Sequence, residues 1–120
     1  MTNDETYNGY PNRETWAFML HLNNDQGLYE MGRDWAREAI AEWREYGNDD
    51  ESGGYADRVI GERVVWQAIE LWADHEDDLA TRGGYSTDDP IVMWQREVGS
   101  VWRVDERAVG ESIREDLEND

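Results

Sequence analysis

The chain has 120 residues, room for one domain with a modest core and too few for two. Twenty-nine Asp and Glu face 11 basic residues, a formal net charge of −18; such a surface repels nucleic acid and anionic membrane and attracts cations or basic proteins. Cysteine is absent, which excludes disulfides and thiolate metal sites, and no apolar run approaches the roughly 20 residues of a membrane helix.

The start, MTNDETYNGYPN, has neither the basic lead nor the apolar core of a signal peptide, so a cytoplasmic protein is expected. Seven Trp and six Tyr give the chain enough to bury and argue against a disordered acidic tail. The charge is −3 over residues 1–27, −5 over 28–54, −4 over 55–83 and −6 over 84–120. The acidity is a shell rather than an appendage.

Residues 1–6 are polar and expected to fray. Asn12 is a good N-cap, with Glu14 and Thr15 in the first turn behind it. Trp16, Met19, Leu20 and Leu22 supply an apolar face, so the spacing predicts a helix over 13–23. Residues 24–27 read as a turn.

A second helix is predicted over 28–47. At about 100° per residue, Leu28, Met31, Trp35, Ala39, Trp43 and Tyr46 fall on one side. Arg33, Arg37 and Arg44 form a strip near the opposite side. Glu30, Asp34, Glu38, Glu42 and Glu45 occupy the flank between. Residues 47–54, GNDDESGG, read as a loop.

A long helix follows over 55–80, with Val59, Ile60, Val64, Ala68, Leu71 and Trp72 on its buried side. Its last turns gather Asp74, Glu76, Asp77 and Asp78, which oppose the helix dipole. TRGGYSTDDP is a break, and Asp89 with Pro90 starts a helix carrying Ile91, Met93, Trp94 and Val98. Residues 98–104 are ambiguous, with room for a short extended piece. Asp105 caps a last helix whose inner line is Val109, Ile113 and Leu117. The expected fold is mainly α, one compact bundle of four or five helices in a single domain spanning 1–120.

Chemistry is sparse. His75 sits among acids, but HEDD lacks the paired His of zincins, and no EF-hand spacing occurs. Loose attraction of divalent cations is all this patch implies, and no metal or other cofactor is expected. No nucleophile elbow, P-loop or dinucleotide fingerprint is present. With 29 carboxylates, some pair reaches a glycosidase-like separation by chance. His21 reads as structural, and the chain is not expected to be an enzyme. Five or so of the Trp residues are expected in the core, leaving one or two as exposed anchors in a partner interface.

The acidic row on the second helix has two explanations. As a solvated flank, it pairs Glu30 with Arg33 and Asp34 with Arg37 at i, i+3. Glu38, Glu42 and Glu45 have no Arg three or four residues on, so they stay unpaired or find partners elsewhere. As a recognition surface, carboxylates stepped every ~6 Å along a helix imitate the phosphates of a DNA strand, spaced about 3.4 Å along the axis plus the winding. The rival is halophilic adaptation: excess Asp and Glu without Lys keeps a protein soluble where molar salt shrinks the Debye length to about 3 Å.

Residues Tyr7-Asn8-Gly9, Asn12-Arg13-Glu14-Thr15-Trp16 and Asn24-Asp25-Gln26-Gly27-Leu28-Tyr29 resemble the opening of a family of small proteins found mainly in phages, plasmids and other mobile elements. VDERAVGESIREDLE, near the end, is more loosely similar to that family's closing helix. The resemblance covers about a fifth of the chain and implies mobile-element company, with no activity attached. By size and charge alone, the chain is also similar to the DNA-mimic antirestriction and anti-CRISPR proteins that phages and plasmids carry, an analogy without a shared motif.

The sequence thus points to a non-enzymatic phage or plasmid DNA mimic. Its expected partner is a basic, DNA-binding host nuclease or CRISPR complex in the host cytoplasm, with no direct binding to nucleic acid or membrane; a homodimer stays open. Expected partner-binding residues are Glu30, Asp34, Glu38, Glu42 and Glu45, then Asp74, Glu76, Asp77 and Asp78. The alternative is a halophilic structural or scaffold protein whose acidity serves solubility.

Overall fold

A computed structural model describes residues 8–46, 54–81, 83 and 89–119. Five α-helices account for most of them: α1 (Arg13–Asn24), α2 (Gln26–Glu45), α3 (Gly54–Thr81), α4 (Pro90–Val98) and α5 (Glu106–Glu118). A 3₁₀ turn at Val101–Arg103 separates α4 from α5. The expected all-α bundle is the fold found. The expectations for residues 1–6, for most of the loop at 47–54 and for most of the break after α3 lie outside the described residues.

Side chains set the helix starts. Asn12, Asp25, Asp89 and Asp105 each accept a backbone N–H from the first turn of α1, α2, α4 and α5 respectively. Asp25 does this alone, so the turn expected over 24–27 shrinks to one residue between two helices. Residues 98–104, where an extended piece was allowed for, contain the 3₁₀ turn. It begins just after Gly99, which leaves α4 at a φ of 70°, where Gly carries no Cβ penalty.

The core is an aromatic cluster walled by aliphatics. The rings of Phe18 and Trp72 both pack on Trp94, with centroids 5.1 and 5.2 Å away. The Trp94 indole N–H donates to the Phe18 carbonyl at 3.0 Å, which satisfies the one polar atom that burying this residue brings in. Ile60, Val64, Val98, Val109 and Ile113 close around the cluster. Leu20, expected on the inner face of α1, is instead exposed, and Ala17 and Phe18 take the inner positions.

Helices α3 and α5 cross at van der Waals contact through two glycines. A Cβ on Gly61 would lie 1.6 Å from the Glu106 carbonyl oxygen, and one on Gly110 would lie 1.7 Å from that of Asp57. Neither place has room for a methyl group. Beside the crossing, Asp57 is 2% exposed. It accepts two hydrogen bonds from the Arg114 guanidinium, which also donates to Glu118 at 3.0 Å. Hydrogen bonding to Asp57 pushes the Arg114 pKa above its ordinary value.

Helix α2 is rotated from its expected setting. Leu28, Gly32, Arg33, Ala36 and Ala39 face inward, whereas Tyr46, expected inside, is 82% exposed. Arg33, expected on the outer strip as the i, i+3 partner of Glu30, turns inward to donate to Asp116 at 3.1 Å and to the Tyr29 hydroxyl. Tyr29 in turn donates to Asp116 at 2.7 Å. This three-membered network ties α2 to α5, while Met31 and Trp35 of the expected side still pack against the core.

Candidate partner-binding face

Glu30, Asp34, Glu38, Glu42 and Glu45 are all exposed on α2. Fifteen residues of helix separate the first from the last, an axial reach of about 22 Å. The row is only partly free. Arg37 pairs with Asp34 at 3.1 Å, the expected i, i+3 contact. Glu42 and Glu38 find the partner their own helix lacks in Arg63 of α3, at 2.6 and 3.5 Å. Glu30 accepts from the Gln26 amide at 3.0 Å, a neutral donor that leaves its charge uncancelled. Glu45 has no guanidinium partner among the described residues.

Arg63 is the element that sequence spacing cannot place. Its side chain is 26% exposed and reaches from α3 across to α2. Its hydrogen bond, then its charge, holds the Glu42 carboxyl below the usual range, and the Arg63 pKa rises in return. Both groups therefore stay ionised throughout the neutral range, and two of the five acids share one guanidinium.

The second predicted set lies apart, on the C-terminal turns of α3. Asp74, Glu76, Asp77 and Asp78 are exposed there. His75 turns away from them to a 2.7 Å contact with Asp89, the cap of α4. Burial tends to raise the Asp89 pKa, but His75 and the backbone N–H groups of Val92 and Ile91 outweigh it and hold the carboxyl low. Among the described residues, no group of three His, Asp or Glu is placed to hold a metal ion.

Two surface recesses flank the row. One, of about 440 Å³, opens between α1, α2 and α5 over Tyr29, Arg33 and Asp116, whose polar groups already satisfy one another. The other, of about 400 Å³, runs between α2 and α3 and includes Glu42, Trp43, Tyr46, Arg63 and Trp66. Of the seven Trp, Trp72 and Trp94 are buried, whereas Trp66 and Trp102 are 58% and 80% exposed. The sequence leaves one or two Trp outside the core, and these two are the exposed ones among the described residues. Trp102 has the Arg103 guanidinium 5.7 Å from its ring centroid.

The motif at residues 12–16, one of those that carry the family resemblance, builds the scaffold. Asn12 Oδ1 accepts from the Thr15 amide and hydroxyl at 2.8 and 2.7 Å, and its side-chain amide donates to the Arg103 carbonyl. Thr15, fully buried, accepts the Asp105 N–H at 2.9 Å. Arg13 donates to the carbonyls of Glu97 and Val98 at the end of α4. One short segment thus binds the first turn of α1 to the end of α4 and the start of α5.

Fold and surface together define a small, acidic, all-α domain whose exposed face is carboxylate-rich. No helix among the described residues is long and apolar enough to cross a membrane. The chain belongs to a family of unknown function, DUF7249, whose model matches residues 3–82. No curated protein and no solved structure matches it.

Proposed function

We propose that this protein is a non-enzymatic inhibitor that imitates DNA and occupies the nucleic-acid-binding surface of a basic host defence protein, a restriction nuclease or a CRISPR effector. The observation that carries the reading is the α2 row: five exposed carboxylates in sequence along one continuous 20-residue helix. Arg63 lowers the net charge of the row where it meets Glu38 and Glu42, and the rest of the row keeps its charge for a partner. Carboxylates so spaced can accept charge-assisted hydrogen bonds from Arg and Lys that otherwise grip phosphate. Asp74, Glu76, Asp77 and Asp78 extend the negative surface. The resemblance of the N-terminal motifs to mobile-element proteins supplies a setting in which such an inhibitor is useful.

The test is capture of partners from host lysate, followed by competition between this protein and DNA for the captured enzyme. Recovery of a restriction or CRISPR complex that releases DNA is the expected result. The triple substitution Glu30→Gln, Asp34→Asn and Glu45→Gln should weaken competition at least about tenfold. Binding should also fall steeply between about 50 and about 500 mM salt; affinity indifferent to salt would overturn the reading.

The spread of exposed acids favours a second reading. Glu62 and Glu70 on α3, and Glu111, Glu115 and Glu118 on α5, are as open to water as the α2 row. A shell of this kind suits solubility in concentrated salt. That reading requires a protein that loosens at low salt and captures no basic partner, and a circular-dichroism salt series tests the first half directly.

A further inference from the structure

We infer that the groove between α2 and α3 is an arginine-docking site, in which a guanidinium from a basic partner protein stacks on Trp66 and is held by the flanking glutamates. This rests on the reading of the chain as a binder of basic protein surfaces, and it names the point at which the partner is anchored.

The groove, about 400 Å³ in volume, combines three aromatic side chains, Trp43, Tyr46 and Trp66, with the carboxylates of Glu42 and Glu62. The core takes in Trp72 and Trp94 completely, yet Trp66 and Tyr46 are left 58% and 82% exposed. Leaving so much aromatic surface in water forgoes burial that a chain rich in Trp readily obtains elsewhere. Aromatic faces beside carboxylates match one ligand chemistry closely. A planar guanidinium stacks on the ring and donates in a fork to the acid, whereas an ammonium does only part of this.

The groove already shows the preference in miniature, because the Arg63 guanidinium lies at its wall, bound to Glu42 at 2.6 Å. The other exposed tryptophan, Trp102, has its own chain's Arg103 over it; among the described residues no arginine stacks on Trp66. Charge decides between occupants. A second copy would bring another 18 negative charges to a wall of glutamates, and nucleic acid would meet the same repulsion. A basic segment meets attraction.

The probe is an acetylated peptide of about ten residues alternating Arg and Gly, compared with its Lys counterpart at about 0.15 M salt. Indole N–H signals of tryptophan-labelled protein report where it binds. The Trp66 signal, assigned by its loss in Trp66→Ala, should move most. Trp66→Ala should weaken the Arg peptide about fivefold and Trp102→Ala leave it unchanged, and the Lys peptide should bind less tightly than the Arg peptide. Both variants alter exposed residues, and a thermal melt confirms that each is folded. Equal behaviour of the two variants, with affinity following net charge alone, would overturn the docking site while leaving the inhibitor reading to the DNA-competition experiment. Trp66-dependent peptide binding with no enzyme captured would sink that reading and keep this site.

Discussion

Helix α3 meets α5 along one side and α2 along the other, and the two junctions are made differently. Toward α5, Gly61 and Gly110 bring the backbones into contact, and the Asp57–Arg114 pair is sealed beside them. Toward α2, a groove lies open, and the linking pair, Arg63 with Glu42 and Glu38, stays in contact with water. Both junctions use an arginine and carboxylates. Burial separates them: a sealed pair is indispensable once its partner is removed, whereas a solvated pair is worth little. The α5 side is the closed junction, and the α2 side is the open one.

The contrast breaks hardest at the glycines. Gly61→Ala should cost about 3 kcal/mol or more in chemical unfolding, because a methyl group meets a carbonyl that cannot withdraw without parting the helices; a loss below about 1 kcal/mol would mean the crossing is looser than it looks. Arg114→Met should cost about 3 kcal/mol in the same unfolding measurement by leaving Asp57 buried and unpaired. Arg63→Gln, on the open side, should cost less than about 1 kcal/mol and tighten the Arg peptide, since it removes the resident competitor from the groove. Weaker peptide binding instead would show that Arg63 acts chiefly as an organiser.

Glu106 gives the smallest effect. Burial, then the charges of Glu62 and Asp105, raise its pKa, with Arg58 opposing. A carboxyl whose folded pKa lies above the unfolded value of about 4.3 binds its proton more tightly in the folded state, so its ionised form costs stability at neutral pH and the cost disappears in acid. Glu106→Gln should therefore stabilise by a few tenths of a kcal/mol at pH ~7 and by nothing at pH ~3, as read from paired thermal melts.

Much of the fold was legible in sequence because helix starts are local. Asn12, Asp89 and Asp105 lie within three residues of the N–H groups they cap, and the predicted helices over 13–23 and 55–80 differ from α1 and α3 by a residue at each changed end. What escaped depends on residues far apart in the chain. Arg33 looked like an outer residue of α2 until Asp116 of α5 supplied a partner that draws it inward. Single glycines inside α3 and α5 carried no message until the two helices crossed at them. The acidic row was readable to the residue, but its neutralisation was not, since Arg63 lies on another helix and obeys no i, i+4 rule. Tyr46 and Trp66 followed the same pattern: periodicity marks them as apolar, and only the packing shows which of the apolar side chains remain outside.

The clasp made by Asn12, Arg13 and Thr15 bears on how the chain must assemble during synthesis. Its receiving groups, at the end of α4, the 3₁₀ turn and the start of α5, leave the ribosome long after the clasp itself. The stretch matched by the family model ends at residue 82, before any of them. Until they arrive, the glycine side of α3 has nothing to rest on, and Phe18 and Trp72 wait for the indole that completes their cluster. The closing quarter of the polypeptide is thus its keystone, and a product cut short after α3 would be an unfinished molecule rather than a smaller one.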